Sequence, residues 1–153
     1  MAQENKELLL KDLYARLPYG VKGKCELDAS YDTPFDTVFQ THKFNAEVYG
    51  IKEDLLLVTP LIEDNDEQTY AEEEIADGVS ILDFTPYLLP MSSMTDAEKE
   101  EYCQLQQRVI YNSKGHVNED VTKYINWCYK KHLDINNLIP IGLAIDATGL
   151  NIY

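Results

Sequence analysis

Apolar residues recur at helical spacing near the start of the chain. The spacing i, i+3, i+4 and i+7 gathers side chains along one face of an α-helix. The residues at these positions are Leu10, Leu13, Tyr14 and Leu17, with Leu9 beside them. The pattern predicts a helix over residues 4–17 that packs through this stripe. Pro18 and Gly20 follow, and we expect them to end the helix and turn the chain.

Between residues 21 and 62 the apolar period shortens to two, which is typical of β-strands. Val21 to Leu27 alternate apolar or small residues with charged ones, and residues 55–58 form a continuous apolar run. A longer, irregular β region is expected over residues 37–51. The cluster of turn-forming residues at 28–34 predicts a turn between the first two strands. We expect three or four antiparallel strands in a small sheet, curled or resembling an open barrel, with the first helix on one face.

Residues 83–95 are apolar but contain two prolines. Pro86 and Pro90 each lack a backbone donor and favour extended geometry in the residue before them. This composition excludes a helix interior or a central strand, and it is too apolar for a free linker. The sequence therefore predicts a rigid, proline-rich strap that crosses the core and separates a β half from a helical half.

The last third of the chain is predicted to be mainly helical. Thr95 and Glu98 have the spacing of a capping box, which begins a helix that runs to about Asn112. Its inward residues are expected to be Tyr102, Leu105 and Val109. Asn118 is expected to cap a second helix with an apolar face formed by Val121, Tyr124, Ile125, Cys128 and Tyr129. The apolar tail, residues 136–153, should pack back onto the core.

These elements define the expected fold class, which is α+β. We expect one domain over residues 1–153, made of a helix-plus-β half (1–82), the strap (83–94) and a mainly helical half (95–153). The chain has 44% hydrophobic and 26% charged residues, as soluble globular proteins do. With no apolar run long enough to cross a membrane and no signal-peptide pattern at the start, the sequence predicts a cytoplasmic protein.

Negative charge is concentrated in the middle of the chain. The net charge is −14, and residues 63–101 hold thirteen acidic residues and one basic residue, Lys99, which gives −12. Such a field repels nucleic acid and anionic membranes and attracts cationic partners. We therefore expect no direct binding to nucleic acid and no membrane partner.

The densest part of this charge is the acidic segment, residues 63–78, which contains no lysine or arginine. The first interpretation is a solvated loop that keeps the protein soluble. The second is a surface for a basic protein, including mimicry of nucleic acid. A calcium loop is disfavoured because the glycine and the terminal glutamate of such loops are missing. The candidate partner-binding residues are Glu63, Asp64, Asp66, Glu67, Glu72, Glu73, Glu74 and Asp77.

No motif in the chain indicates catalysis, so we expect no cofactor and lean against an enzyme. Phosphate-binding loops, nucleophile elbows and zinc-protease motifs are missing from the sequence. Cys128 and His132 lie at i and i+4 but have no second pair to complete a metal site. Cys25, Cys103 and Cys128 are expected to be buried, inert thiols. Five of the eleven tyrosines lie in or near predicted apolar faces and should lie in the core or at a subunit interface: Tyr87, Tyr102, Tyr111, Tyr124 and Tyr129.

Three stretches resemble a widespread family of small uncharacterised proteins from Bacteroides-type gut bacteria, often found in prophage or mobile-element surroundings. They are KELLLKDLYARLPYGV (6–21), PYLLPMSSMT (86–95) and LIPIGLAIDA (138–147). The resemblance implies a cytoplasmic, phage-linked origin and brings no catalytic residue with it.

The sequence as a whole favours a non-enzymatic, acidic binding or accessory protein of a phage or mobile element. Its partner-facing surface would be the acidic segment together with the first capped helix. Two alternatives stay open: a small enzyme of unrecognised type, and a structural building block that forms homo-oligomers.

Overall fold

The described part of the chain contains an N-terminal helix, a curled half-barrel sheet of six strands and C-terminal helices. This architecture confirms the predicted α+β class. The computed structural model describes residues 3–32, 34–53, 55–62, 75, 77–111 and 117–153. Within these ranges the helices are α1 (Gln3–Arg16), α2 (Asp96–Tyr111) and α3 (Val117–Lys130). The strands are β1 (Val21–Asp32), β2 (Thr37–Lys52), β3 (Leu55–Pro60), β4 (Val79–Ser80), β5 (Phe84–Leu88) and β6 (Ile145–Asp146). Their order in the sheet is β4-β3-β2-β1-β5-β6. No described helix combines the length and the apolar character that crossing a bilayer requires.

The β1–β2 hairpin is longer than the sequence indicated. The two strands pair antiparallel from Val21 opposite Val48 to Asp32 opposite Thr37. The predicted turn over residues 28–34 is therefore wrong for its first part, because β1 continues through Asp32. Residues 37–41 supply β-favouring partners across the ladder, and cross-strand pairing outweighs the local turn preference of Asp and Ser.

Part of the predicted strap is a paired strand, β5. Its first three residues, 84–86, pair with β1, whereas Tyr87 and Leu88 pair in parallel with β6. Each residue of β5 therefore pairs with one neighbouring strand only. This one-sided pairing is compatible with Pro86, which has no backbone N–H to donate. The parallel pairing with β6 makes the sheet mixed, whereas the sequence predicted antiparallel strands.

Helix α1 packs onto the core through a stripe that partly coincides with the predicted one, because Leu13 is buried and Leu10 and Leu17 pack against the core. Its buried residues are Leu9, Asp12, Leu13 and Arg16. Tyr14, which we expected in the core, is 49% exposed. The reason is that the stripe includes two charged residues, Asp12 and Arg16, which a search for apolar spacing passes over.

The C-terminal tail packs back onto the core as predicted. Leu138, Leu143 and Ala144 are buried there among the side chains of the sheet and α1. The carboxylate of Asp134 accepts hydrogen bonds from the backbone N–H groups of Leu138 (2.7 Å) and Ile139 (2.9 Å). These bonds satisfy the donors of an irregular segment whose backbone would otherwise be buried without partners.

We expect Gly23→Ala to destabilise the protein. A Cβ at this position would lie 2.6 Å from the carbonyl oxygen of Thr85 and would clash with the ring of Phe84. Since β1 and β5 pair at this point, the clash should lower the free energy of unfolding by about 1–3 kcal/mol. Denaturant unfolding of the purified variant measures the change.

The matched control is Gly50→Ala. The nearest atom to its added Cβ is the end of the Leu57 side chain, 3.2 Å away, which can move aside. The control should therefore lose less stability than Gly23→Ala. Equal losses in the two variants would contradict the proposed close approach of β1 and β5.

Candidate protein-binding surface

One of the eight candidate acidic residues lies within the described part of the chain. Asp77 is exposed just before β4. The remaining seven lie outside the described residues: Glu63, Asp64, Asp66, Glu67, Glu72, Glu73 and Glu74. The structure therefore describes Asp77 and the residues on either side of the other seven.

Both flanks of the acidic segment are attached to the sheet. On the N-terminal side, Leu61 N–H donates to the carbonyl oxygen of Asn45 at 2.7 Å. On the C-terminal side, Ile75 is buried in the core and its carbonyl oxygen accepts from Gly78 N–H at 2.8 Å. β4 then pairs with β3 at the outer edge of the sheet. The described residues on the two sides of the segment thus lie near opposite ends of β3, since Leu61 follows Pro60 and β4 pairs with Leu55 and Leu56.

The capped helix α2 begins as the sequence predicted. Thr95 N–H donates to Oε2 of Glu98 at 2.9 Å, and Glu98 N–H donates to Oγ1 of Thr95 at 3.3 Å. These reciprocal bonds are those of a capping box. Oε1 of Glu98 also accepts from Nζ of Lys131 at 3.0 Å. The bonds to Thr95 and Lys131 together lower the pKa of Glu98 to about 2.

Helix α2 is attached to the protein through a single face. The hydroxyls of Tyr102 and Tyr124 are 2.7 Å apart, and the Tyr102 ring also contacts Trp127 of α3. Leu105 and Val109, which we expected to point inward, are half-buried. No residue of α2 is fully buried. The helix is therefore a surface element, and Asp96, Glu100 and Glu101 at its N-terminal end are exposed.

The expectation that all three cysteines are buried is wrong for Cys103. Burial raises the pKa of Cys25 to about 12 and that of Cys128 to about 11, so both thiols are inert at neutral pH. Cys103 is exposed on α2. It follows Tyr102, and one residue rotates a helix by about 100°, which turns Cys103 away from α3.

A second group of carboxylates lies where the β1–β2 hairpin meets β5, and sequence reasoning missed it. Glu26, Asp28 and Asp83 line a cleft of about 230 Å³. Burial, and then the nearby charge of Asp28, raises the pKa of Asp83. Only strand pairing brings these residues together, because β5 is far from β1 in the chain. Within the described ranges, no three histidine, cysteine or acidic side chains are arranged to hold a metal ion.

The most buried charges form an ion pair inside the fold, between Asp12 and Arg16. Nε of Arg16 donates to Oδ2 of Asp12 at 2.6 Å, and neither side chain is exposed to solvent. Nη2 of Arg16 also donates to the carbonyl oxygen of Leu133 at 2.8 Å, and its guanidinium lies over the ring of Tyr129. The amide of Asn136 donates to Asp12 at 2.7 Å. The pair thus links α1 to the segment that follows α3.

His132 lies in the same buried region. It belongs with Cys128 to no group of described side chains that could hold a metal ion. Its ring stacks on Tyr153 with centroids 3.6 Å apart. The hydroxyl of Tyr153 donates to the carbonyl oxygen of Tyr87 at 2.8 Å. Burial, with the positive charges of Arg16 and Lys22 nearby, lowers the pKa of His132 to about 4. The ring is therefore neutral at physiological pH.

Comparison with known proteins yields no relative. No protein-family model, no curated protein and no solved structure matches the chain. The geometry of the described residues and the charge of the sequence are therefore the basis for a function.

Breaking the buried ion pair should cost more than replacing it. In Arg16→Met, Asp12 keeps its charge in a buried site, and we expect a loss of about 3–5 kcal/mol in the free energy of unfolding. In the double variant Asp12→Leu, Arg16→Met, both charges are gone, and the loss should be clearly smaller. Denaturant unfolding of wild type and the two variants gives the comparison. A double variant less stable than Arg16→Met would refute this account.

Mild acid should destabilise the protein through His132. Its folded pKa is lowered to about 4 from an ordinary 6.5. The unfolded chain therefore binds the proton more readily. The contribution of His132 to stability is complete above about pH 6.5 and is lost as the pH falls toward about 4. The slope from this one group is at most about 1.4 kcal/mol per pH unit.

The control for this pH effect is His132→Asn, because asparagine tolerates the positive φ of 54° found at this residue. The free energy of unfolding is measured against pH in both proteins. Between pH 6.5 and 4 the variant should show the shallower dependence. Parallel curves would show that His132 does not titrate in the way its burial implies.

Proposed function

We propose that this protein is a non-enzymatic binding protein of a phage or mobile element, and that its acidic segment binds a basic protein. The observation that carries the proposal is the charge of residues 63–78, which include eight carboxylates and no lysine or arginine. Of the described residues at and beside this segment, Leu61 donates to Asn45 of β2 and Ile75 is buried in the core.

Electrostatics favours a basic protein as the partner. Eight carboxylates so close together in the sequence raise the negative potential around the segment, which speeds encounter with a positively charged surface. The same potential repels phosphate groups, so nucleic acid is disfavoured as a direct ligand. A basic protein that itself binds nucleic acid fits this charge pattern. Its contacts should weaken as salt rises, because counterions screen exposed charges.

Helix α2 offers a second acidic surface for the same class of partner. Asp96, Glu100 and Glu101 are exposed at its first turns, whereas Glu98 is occupied by Thr95 and Lys131. In the chain the acidic segment lies between β3 and β4, whereas α2 follows β5, and three strands separate β4 from β5 in the sheet. A partner that uses both surfaces is therefore expected to be large, and a small one to use the acidic segment alone.

The roles of the buried titratable groups support binding over catalysis. Asp12 and Arg16 pair with each other, and Asp134 caps backbone donors of the tail. His132 is stacked on Tyr153. Each of these groups thus has a structural task that explains its burial. The phage or mobile-element origin is supported by the family resemblance of the two ends and the strap.

The test is capture of basic proteins by the immobilised protein, compared between two variants at low and high salt. In Glu72→Gln, Glu73→Gln, Glu74→Gln the acidic segment loses three charges. We expect this variant to lose about tenfold or more in affinity for a basic protein that the wild type retains, since several charge contacts act together. Affinity is then measured with the purified partner by titration calorimetry across salt concentrations.

The matched control carries the same change in net charge elsewhere: Glu4→Gln, Glu7→Gln and Glu119→Gln, all at exposed helical positions outside the two proposed acidic surfaces. It should bind like the wild type. If both triple variants bind equally, and with the same salt dependence as the wild type, the acidic segment is not the partner-binding surface.

A further inference from the structure

The outward face of α2 carries a stripe of residues that is complementary to itself. Its members lie three or four positions apart and therefore on one side of the helix. They are Ala97, Glu100, Gln104, Arg108 and Tyr111, and every one is exposed. Tyr111 is 78% exposed, which is unusual for a side chain with a large apolar ring.

The stripe is arranged symmetrically around Gln104. Glu100 and Arg108 lie four residues to either side of it, and Ala97 and Tyr111 lie seven residues to either side. When two such helices run antiparallel about a two-fold axis at Gln104, each Glu100 faces the other copy's Arg108. Each Tyr111 likewise faces an Ala97, which is small enough to accept a ring. A two-fold interface must be self-complementary in this way.

We propose that α2 is an interface through which two copies of this chain associate antiparallel, with Gln104 at the two-fold axis. The occupant is a second copy because the helix supplies both members of each contact. Two symmetric ion pairs form between Glu100 and Arg108. The two amides of Gln104 meet on the axis, where each can donate to and accept from the other.

The charges of the stripe are available for such a contact. Neither Glu100 nor Arg108 forms an ion pair with any residue that the structure describes. Among the described residues, Gln107 and three members of the stripe line a depression of about 450 Å³: Gln104, Arg108 and Tyr111. This depression offers room for side chains of the other copy. The antiparallel arrangement also places the positive N-terminal end of each helix near the negative C-terminal end of its partner.

The face is held rigid before association. The capping box at Thr95 and the bond from Lys131 to Glu98 fix the start of α2, and Tyr102 fixes its middle against α3. A preorganised helix loses little conformational entropy on binding. One helix pair buries less area than a standard interface, so the dimer should be weak, concentration-dependent and salt-sensitive.

This interface is independent of the acidic segment, because dimerisation uses α2 and the acidic segment lies between β3 and β4 in the chain. It would cover Glu100, one of the three exposed carboxylates of the second acidic surface. The Glu72, Glu73 and Glu74 variant should therefore dimerise like the wild type. A failure of dimerisation leaves the partner proposal intact, and the reverse is also true.

Charge reversal and its compensation test the contact. Sedimentation equilibrium over a concentration series measures the dimer dissociation constant of wild type, Glu100→Arg, Arg108→Glu and the double variant. Each single reversal puts like charges opposite each other at two places, and we expect the dissociation constant to rise about tenfold or more. The double variant restores opposite charges with exchanged positions. Its dissociation constant should return to within a few-fold of the wild-type value, since exposed ion pairs differ from one another by about that much.

Cross-linking tests the position of the axis. In a Cys103→Ser background, Gln104→Cys should form an intermolecular disulfide on mild oxidation. Packed helices have axes about 8–10 Å apart, which brings facing Cα atoms within the range that a disulfide spans. The control is Gln106→Cys, which is also exposed but lies on the opposite side of α2. It should form no intermolecular disulfide under the same conditions.

Three results would overturn the proposal. The first is a wild-type protein that stays monomeric at every concentration. The second is a dimer that neither single charge reversal weakens. The third is equal cross-linking of the cysteines at positions 104 and 106. Association that follows the charge of Glu100 and Arg108, with cross-linking at Gln104 alone, would establish the antiparallel interface.

Discussion

The buried pair of Asp12 and Arg16 is the constraint on which the packing of this fold depends. A guanidinium removed from water requires acceptors, and Arg16 has them in Asp12 and in the carbonyl oxygen of Leu133. Since Leu133 follows α3, the requirement holds the N-terminal helix against the end of the helical half. Asn136 then satisfies Asp12 from the same segment. The position of the tail thus follows from the burial of two charges in α1.

How much of this fold can be predicted from the sequence depends on whether the signal is local. The capping box of α2 involves residues three positions apart, and its prediction is confirmed. The predicted stripe of α1 includes the buried Leu13 but omits Asp12 and Arg16, because both are charged. Their burial depends on Leu133 and Asn136, which lie more than 100 residues away in the chain. The extension of β1 past the expected turn likewise depends on its partner strand, which no local pattern describes.

The candidate surface likewise combines features that the sequence predicts with features that only the folded chain creates. The distribution of charge along the chain is enough to identify the acidic segment and the acidic start of α2. What charge alone misses is the cleft of Glu26, Asp28 and Asp83, which strand pairing assembles from distant residues. The exposure of Cys103 depends on which face of α2 packs on α3, and Tyr102 rather than its neighbour Cys103 makes that contact.

The distribution of polar groups explains how a chain of net charge −14 remains foldable. Self-repulsion destabilises a compact state when like charges are forced together. Here the two fully buried charges, Asp12 and Arg16, balance each other, and the buried carboxylate of Asp134 accepts two backbone N–H bonds. Much of the excess negative charge is in the acidic segment of the sequence and in the exposed first turns of α2. A cationic surface that approaches these carboxylates relieves repulsion without disturbing the core. Binding of a basic protein can therefore stabilise the folded state while the buried network stays unchanged.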